Sequence, residues 1–234
     1  MNRLARPNFL HLFLVFLAWI LIGELTPYLR PVLDIGRLTT WLLAALRMTI
    51  MLLVTYLYIR LAEGGSFSTG FNLRFEQVPK NLLWAFVFFL LSGVVLMLYQ
   101  FLIVRPLLAG YVEASGMAHA EGVRPFGERL VDYLYIVYEG VVEVLIFIGF
   151  LIDRLARAWK WPAAIVVGNL AFAFWHYGYL SSGLLAGSLM MILTFLAGVT
   201  VTLSYVKTRN TLSPIICHAL VDSPSSIRIL LGFH

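Results

Sequence analysis

Charge is what this chain has least of. Only 12% of its 234 residues are Asp, Glu, Lys or Arg, while 61% are hydrophobic. A soluble domain carries about 25% charged residues, so there is too little polar side chain to coat a water-facing surface. Cysteine is nearly absent as well. The single Cys217 excludes an internal disulfide framework and any Cys-rich metal site. The net charge of +5 is spread over polar segments and the ends of apolar runs. That makes nucleic acid a poor partner and suits anionic lipid headgroups. No internal repeat and no second soluble domain interrupts the chain.

What remains is a series of long apolar runs. About 20 apolar residues cross a bilayer, and helices satisfy their own backbone groups in lipid. The reading is an all-α polytopic membrane protein, a bundle of about seven transmembrane helices in a single membrane domain, 1–234. The expected spans are Phe9–Leu29, Thr39–Ile59, Asn81–Val104, Tyr133–Ile152, Pro162–Leu180, Leu184–Val206 and Thr211–Gly232. The first follows Arg3 and Arg6, exceeds a signal-peptide apolar region and lacks a small-residue cleavage site, so it reads as a retained signal anchor. Arg60–Lys80 and Arg105–Asp132 are polar loops, and Ser181-Ser182-Gly183 is a tight turn. Gly187, Ala197 and Gly198 suit close helix packing. The amino terminus and segments 60–80, 153–161 and 207–210 carry ten Lys and Arg, against six in the alternate set. This bias predicts a cytoplasmic amino terminus in a plasma (inner) membrane.

Several ionisable side chains fall inside these runs, where such groups are costly and read as functional by default. His218 and Asp222 are four apart and share a helix face. Glu139 and Glu143 have the same spacing, and His176 lies on a third span. Three helices can bring Glu143, His176, His218 and Asp222 together around water, with Glu139 in support. A carboxylate and a neutral histidine can activate water, and a second histidine held by an acid can donate to a developing oxyanion. The same residues could instead bind zinc with an open water position. No cofactor is certain, and the spacing leaves metal-free and metal-assisted hydrolysis open. Arg47 stands inside the second span without an evident partner.

These residues also resemble a known family, the CPBP intramembrane proteases. It includes type II CAAX prenyl endopeptidases and bacteriocin-processing or abortive-infection proteins. The Phe-x-x-x-His motif is matched by Phe172 to His176, and His-x-x-x-Asn/Asp by His218 to Asp222, in order on separate spans. The resemblance covers roughly 133–232 and leaves 9–104 as accessory helices. The family's Glu-Glu-x-x-x-Arg motif is matched only by Glu143, with Val144 and Ile148 at the second Glu and the Arg. The resemblance implies that Glu143 and His176 activate water. His218 and Asp222 would then steady the oxyanion or ligate a metal. It also implies a membrane-associated peptide or protein as substrate. Glu139 is one candidate for the missing carboxylate, and Arg47 or Arg154 for the missing cation. The first expectation is thus an intramembrane endopeptidase. The alternatives are a catalytically inactive scaffold or partner of a processing system and, more weakly, a transporter.

Overall fold

The computed structural model describes residues 9–29, 37–108 and 125–231. Most of the expected loop at 105–132, including Glu113, His119, Glu121 and Arg124, lies outside the described residues, as do Arg3, Arg6 and Arg30–Asp34. Among the described residues there is helix and no strand. Helix α1 is Phe9–Leu29, α2 is Arg37–Ala62, and α3 is a single turn, Phe67–Gly70. Helix α4, Val78–Tyr99, runs into a π-helical turn at Gln100–Val104. Helix α5 runs through Phe126–Ala158, with a π-helical stretch at Val144–Ile152. Then come α6 (Trp161–Trp175), a 3-10 segment (Tyr177–Ser182), α7 (Leu184–Thr208) and α8 (Leu212–Leu231).

Four of these helices are long and apolar enough to cross a membrane: Trp41–Ala62, Val78–Leu108, Phe126–Ala158 and Leu184–Thr208. Apolar stretches at Leu10–Glu24, Trp161–Trp175 and Leu212–Ser223 are shorter. The all-α membrane class of the sequence reading therefore stands.

Helix α5 is the axis of the bundle. Its apolar window is 72% buried, against 11% in α4. A helix that is apolar all round must be enclosed by protein or by lipid, and these two take the opposite choices. On α5 every residue from Val144 to Ile152 is buried. Phe147 meets Trp19 at 5.4 Å and Phe172 at 5.3 Å between ring centroids, and Phe150 meets Tyr58 at 5.6 Å. On α4, Leu82, Leu83, Phe86 and Leu90 face outward. The small residues of α7 seat its neighbours. A Cβ on Gly187 would come within 2.6 Å of the backbone at Tyr179 and Leu180, and one on Gly198 would collide with Asn169.

A polar clamp closes one end. Arg154 is fully buried and grips Glu63 through two bonds, Nη2 to Oε2 at 2.6 Å and Nε to Oε1 at 3.1 Å. Its Nη1 donates to the carbonyls of Gly70 at 2.6 Å and Gly149 at 3.1 Å. Beside it the Tyr205 hydroxyl donates to Asp153 at 2.7 Å and accepts from Asn72 Nδ2 at 2.8 Å. Asn210 Nδ2 donates to Arg74 O at 2.7 Å, and Thr211 Oγ1 donates to Phe71 O. Loop 63–74, the end of α5 and the α7–α8 turn therefore lie on one side of the bundle.

Two boundaries differ from expectation. Helix α5 begins at Phe126, well before Tyr133, because its first three turns are amphipathic and bury Asp132 and Tyr135. The fifth apolar run does not stay helical to Leu180. Helix α6 ends at Trp175, and the chain tightens into 3-10 turns over Tyr177–Ser182. Gly183, at φ +100°, then starts α7 in a backbone conformation that favours glycine.

Candidate active site

Helix α5 carries Glu139 and Glu143 one turn apart, and α8 carries His218 and Asp222 with the same spacing. His176 stands at the C-terminal cap of α6. All five line one cavity of about 390 Å³, together with Leu96 of α4 and Met190 and Thr194 of α7. The convergence expected from the sequence is therefore present, with one change. The end of α6 frees His176 from the helical path and turns it back along the helix.

That turn fixes the ring. His176 Nδ1 is 2.9 Å from the Phe172 carbonyl oxygen. A carbonyl only accepts, so Nδ1 carries the proton and Nε2 of the neutral ring is an acceptor. Nε2 faces Glu143 Oε1 at 3.6 Å, beyond hydrogen-bond range. Glu143 is 4% exposed, and Oε1 is buried without a hydrogen-bond partner. A buried acceptor left unpaired calls for a water or a substrate group. Water on the cavity side can donate to both atoms.

His218 approaches from the other side. Its Nε2 is 2.9 Å from Asp222 Oδ2 and 4.0 Å from Glu143 Oε2. The carboxylate of Asp222 thus holds the proton on Nε2, the nitrogen that faces Glu143. Phe172 supports both imidazoles, with ring centroids 4.8 Å from His176 and 6.2 Å from His218 and near-perpendicular planes. The Phe of the Phe-x-x-x-His pattern is thus a packing post between the histidines. Gly140 brings α8 close, since a Cβ there would stand 3.5 Å from His218 and 3.7 Å from Asp222.

Glu139 accepts from the Tyr135 hydroxyl at 2.9 Å and lines the cavity one turn from Glu143. Of the two cations considered as substitutes, Arg154 is committed to Glu63 at the clamp and is unavailable to the site. Arg47 lies within electrostatic range of Glu139 and Glu143, although its guanidinium sits 5.2 Å over the Trp175 ring. Val144 and Ile148 line the cavity, so apolar side chains stand where the family motif has Glu and Arg.

The zinc alternative meets a geometric objection. Zinc needs nitrogen and oxygen donors at about 2.0–2.2 Å from one point. Nε2 of His218 is held by Asp222, and among the described residues no group of three or more His, Cys, Asp or Glu is arranged to hold a metal ion. The donor set as it stands does not fit, and no step below is routed through a metal.

Sequence reasoning missed Asn169. It is 1% exposed and lines the cavity, with Nδ2 donating to Ile165 O at 2.8 Å and Thr202 Oγ1 at 3.2 Å. Its spacing of seven residues before His176 puts both on one face of the helix the sequence predicts, a signal that was available. Tyr179 and Thr194 were also missed, and no pattern in the chain marks them.

Fold and site together define a helical membrane protein with three carboxylates and two imidazoles lining one cavity. The family model described as Type II CAAX prenyl endopeptidase Rce1-like matches residues 127–223, from the start of α5 to just past Asp222. That stretch is similar to the Rce1-like family model. It is less than half of the chain, yet it contains every residue of the candidate site. It is also the family that the two histidine motifs resemble. No curated relative and no solved structure matches the chain at a significant level.

Proposed function

We propose that the protein is an intramembrane endopeptidase that hydrolyses a peptide bond of a membrane-associated protein or peptide. The observation that carries this reading is the approach of Glu143 Oε1 and His176 Nε2 to 3.6 Å on the cavity wall, with no hydrogen bond between them. Water between them loses a proton to Glu143 as its oxygen attacks the scissile carbonyl carbon. The Nε2–H of His218, which rests on Asp222 Oδ2 in this structure, swings to the carbonyl oxygen as that oxygen becomes an oxyanion. Glu143 returns the proton to the leaving amine as the C–N bond breaks. Glu139 supports Glu143 in place of the motif's second carboxylate, and Arg47 acts at longer range.

The protein is read as one membrane domain crossing the bilayer seven times, with accessory helices over 9–104. Its amino terminus is assigned to the cytoplasm and the membrane to the plasma membrane. The clamp supports this topology, because it gathers three of the four basic segments on a single face.

The test is cleavage of membrane-anchored peptides by the protein in lipid nanodiscs. Glu143→Gln and His176→Ala are each expected to lower the rate about 100-fold or more without loss of thermal stability. Wild-type rates in both variants would end the proposal. A second reading, an inactive relative acting as a scaffold or partner, is favoured by Val144 and Ile148 on the cavity wall. It predicts no cleavage by the wild-type protein, with cavity variants changing stability alone.

A further inference from the structure

A second, larger cavity of about 500 Å³ lies between α1, α2 and the end of α6. Its walls are apolar, formed by Phe16, Ile20, Phe174 and Trp175, and two opposite charges, Arg47 and Glu24, line it as well. Phe174 is 64% exposed and Ile20 40%, so in a bilayer this wall opens to lipid tails. Arg47 Nε is buried and has no hydrogen-bond partner, and the guanidinium lies over Trp175. Glu24 accepts from the Tyr177 hydroxyl.

Depth matters for what can enter. Arg47 is fifteen residues from Ala62, or about 22 Å along α2 at 1.5 Å per residue. With the Ala62 end at one surface, the guanidinium stands near the opposite edge of a hydrocarbon core about 30 Å thick. There a long cationic side chain reaches the phosphate layer.

The geometry points to a phospholipid site for a headgroup that carries a phosphate and a hydrogen-bonding ammonium, as in phosphatidylethanolamine. The guanidinium takes the phosphate by charge-assisted hydrogen bonds. The carboxylate of Glu24 takes the ammonium, and one acyl chain lies along Ile20 and Phe174. A purely anionic head satisfies Arg47 but leaves Glu24 facing negative charge. A choline head offers Glu24 no N–H. Lipid binding here requires no step of the catalytic reading, although Arg47 also lies within electrostatic range of Glu143. Trp175 and Tyr177 flank His176, however, so an occupant presses on the segment that carries the histidine.

Native mass spectrometry of the whole protein in mild detergent, with phosphatidylethanolamine, phosphatidylcholine and phosphatidylglycerol added in turn, tests this. The wild type is expected to hold one phosphatidylethanolamine about fivefold more strongly than either competitor, as charge-assisted bonds to both ends of the head require. Glu24→Gln should erase its preference over phosphatidylglycerol, and Arg47→Gln should weaken all three. Glycerophosphoethanolamine, the same head without chains, should not displace the lipid. Ile20→Trp fills the apolar wall, leaves both charges in place and should also lose the lipid. Equal retention of the three lipids by the wild type, displacement by the chainless head, or full binding by Ile20→Trp would overturn the assignment, even if Arg47→Gln does not fold.

Discussion

Nε2 of His176 points its lone pair at Glu143 Oε1 across 3.6 Å, and the backbone carbonyl of Phe172 enforces that tautomer. Two acceptors facing each other over such a gap are stable only with a donor between them. Replacing His176 by Gln puts an amide near the same place without the enforced lone pair. Cleavage of an anchored peptide should fall about 100-fold, in the range of general-base effects, with the melting temperature unchanged. A Gln variant as active as wild type would show that the imidazole lone pair has no part in the reaction.

In the proposed reaction Asp222 acts through His218. Asp222→Asn turns the acceptor on Nε2–H into a group that can donate, and the His218 ring loses its orientation. The expected result is a fall in kcat of about 10- to 100-fold, the cost of losing one oxyanion donor, with KM changed little. Steady-state kinetics on a single peptide separate the two. A rise in KM alone would assign Asp222 to substrate binding.

Phe172 carries both imidazoles on its edges. Phe172→Leu keeps an apolar group and removes the ring contacts. Loss of a buried aromatic costs about 1–3 kcal/mol when the shape changes this much. Cleavage should fall by more than stability explains, because both histidines shift. Thermal unfolding measured beside the cleavage rate checks this.

Arg154 and Glu63 form a buried pair with side-chain exposures of 0% and 13%. Removing one partner of such a pair costs about 3–5 kcal/mol, because the other charge is left in a low-dielectric interior. Arg154→Met and Glu63→Gln should each lower the unfolding midpoint strongly in detergent, and the double variant should recover part of the loss. An additive double variant would show that the two charges do not depend on each other.

The sequence was legible where chemistry and period coincide. A charged or imidazole group in an apolar run stands out against its neighbours, and i,i+4 spacing then assigns the face. Glu143, His218 and Asp222 were visible in this way. His176 was visible as a residue, but its position as a helix cap was not. The hydropathy of Tyr177 to Leu180 continues the helical pattern, while hydrogen bonding ends it. Asn169 went unseen because a neutral amide raises no alarm in an apolar helix, although it hydrogen-bonds Thr202 of α7. The Arg154–Glu63 pair was out of reach because its partners are 91 positions apart, and no local pattern encodes a contact of that range.

The clamp has a consequence for how the chain can be divided. The stretch 127–223 holds all the candidate chemistry, yet Arg154 within it is neutralised by Glu63 from outside it. Phe147 likewise rests on Trp19 of α1. Cut free of its first helices, the stretch would keep a buried guanidinium with only Gly149 O and Asp153 as polar partners, and would lose the aromatic bed beneath its axis. The amino-terminal helices are thus part of the foundation, and any transplanted form of this stretch must bring them along.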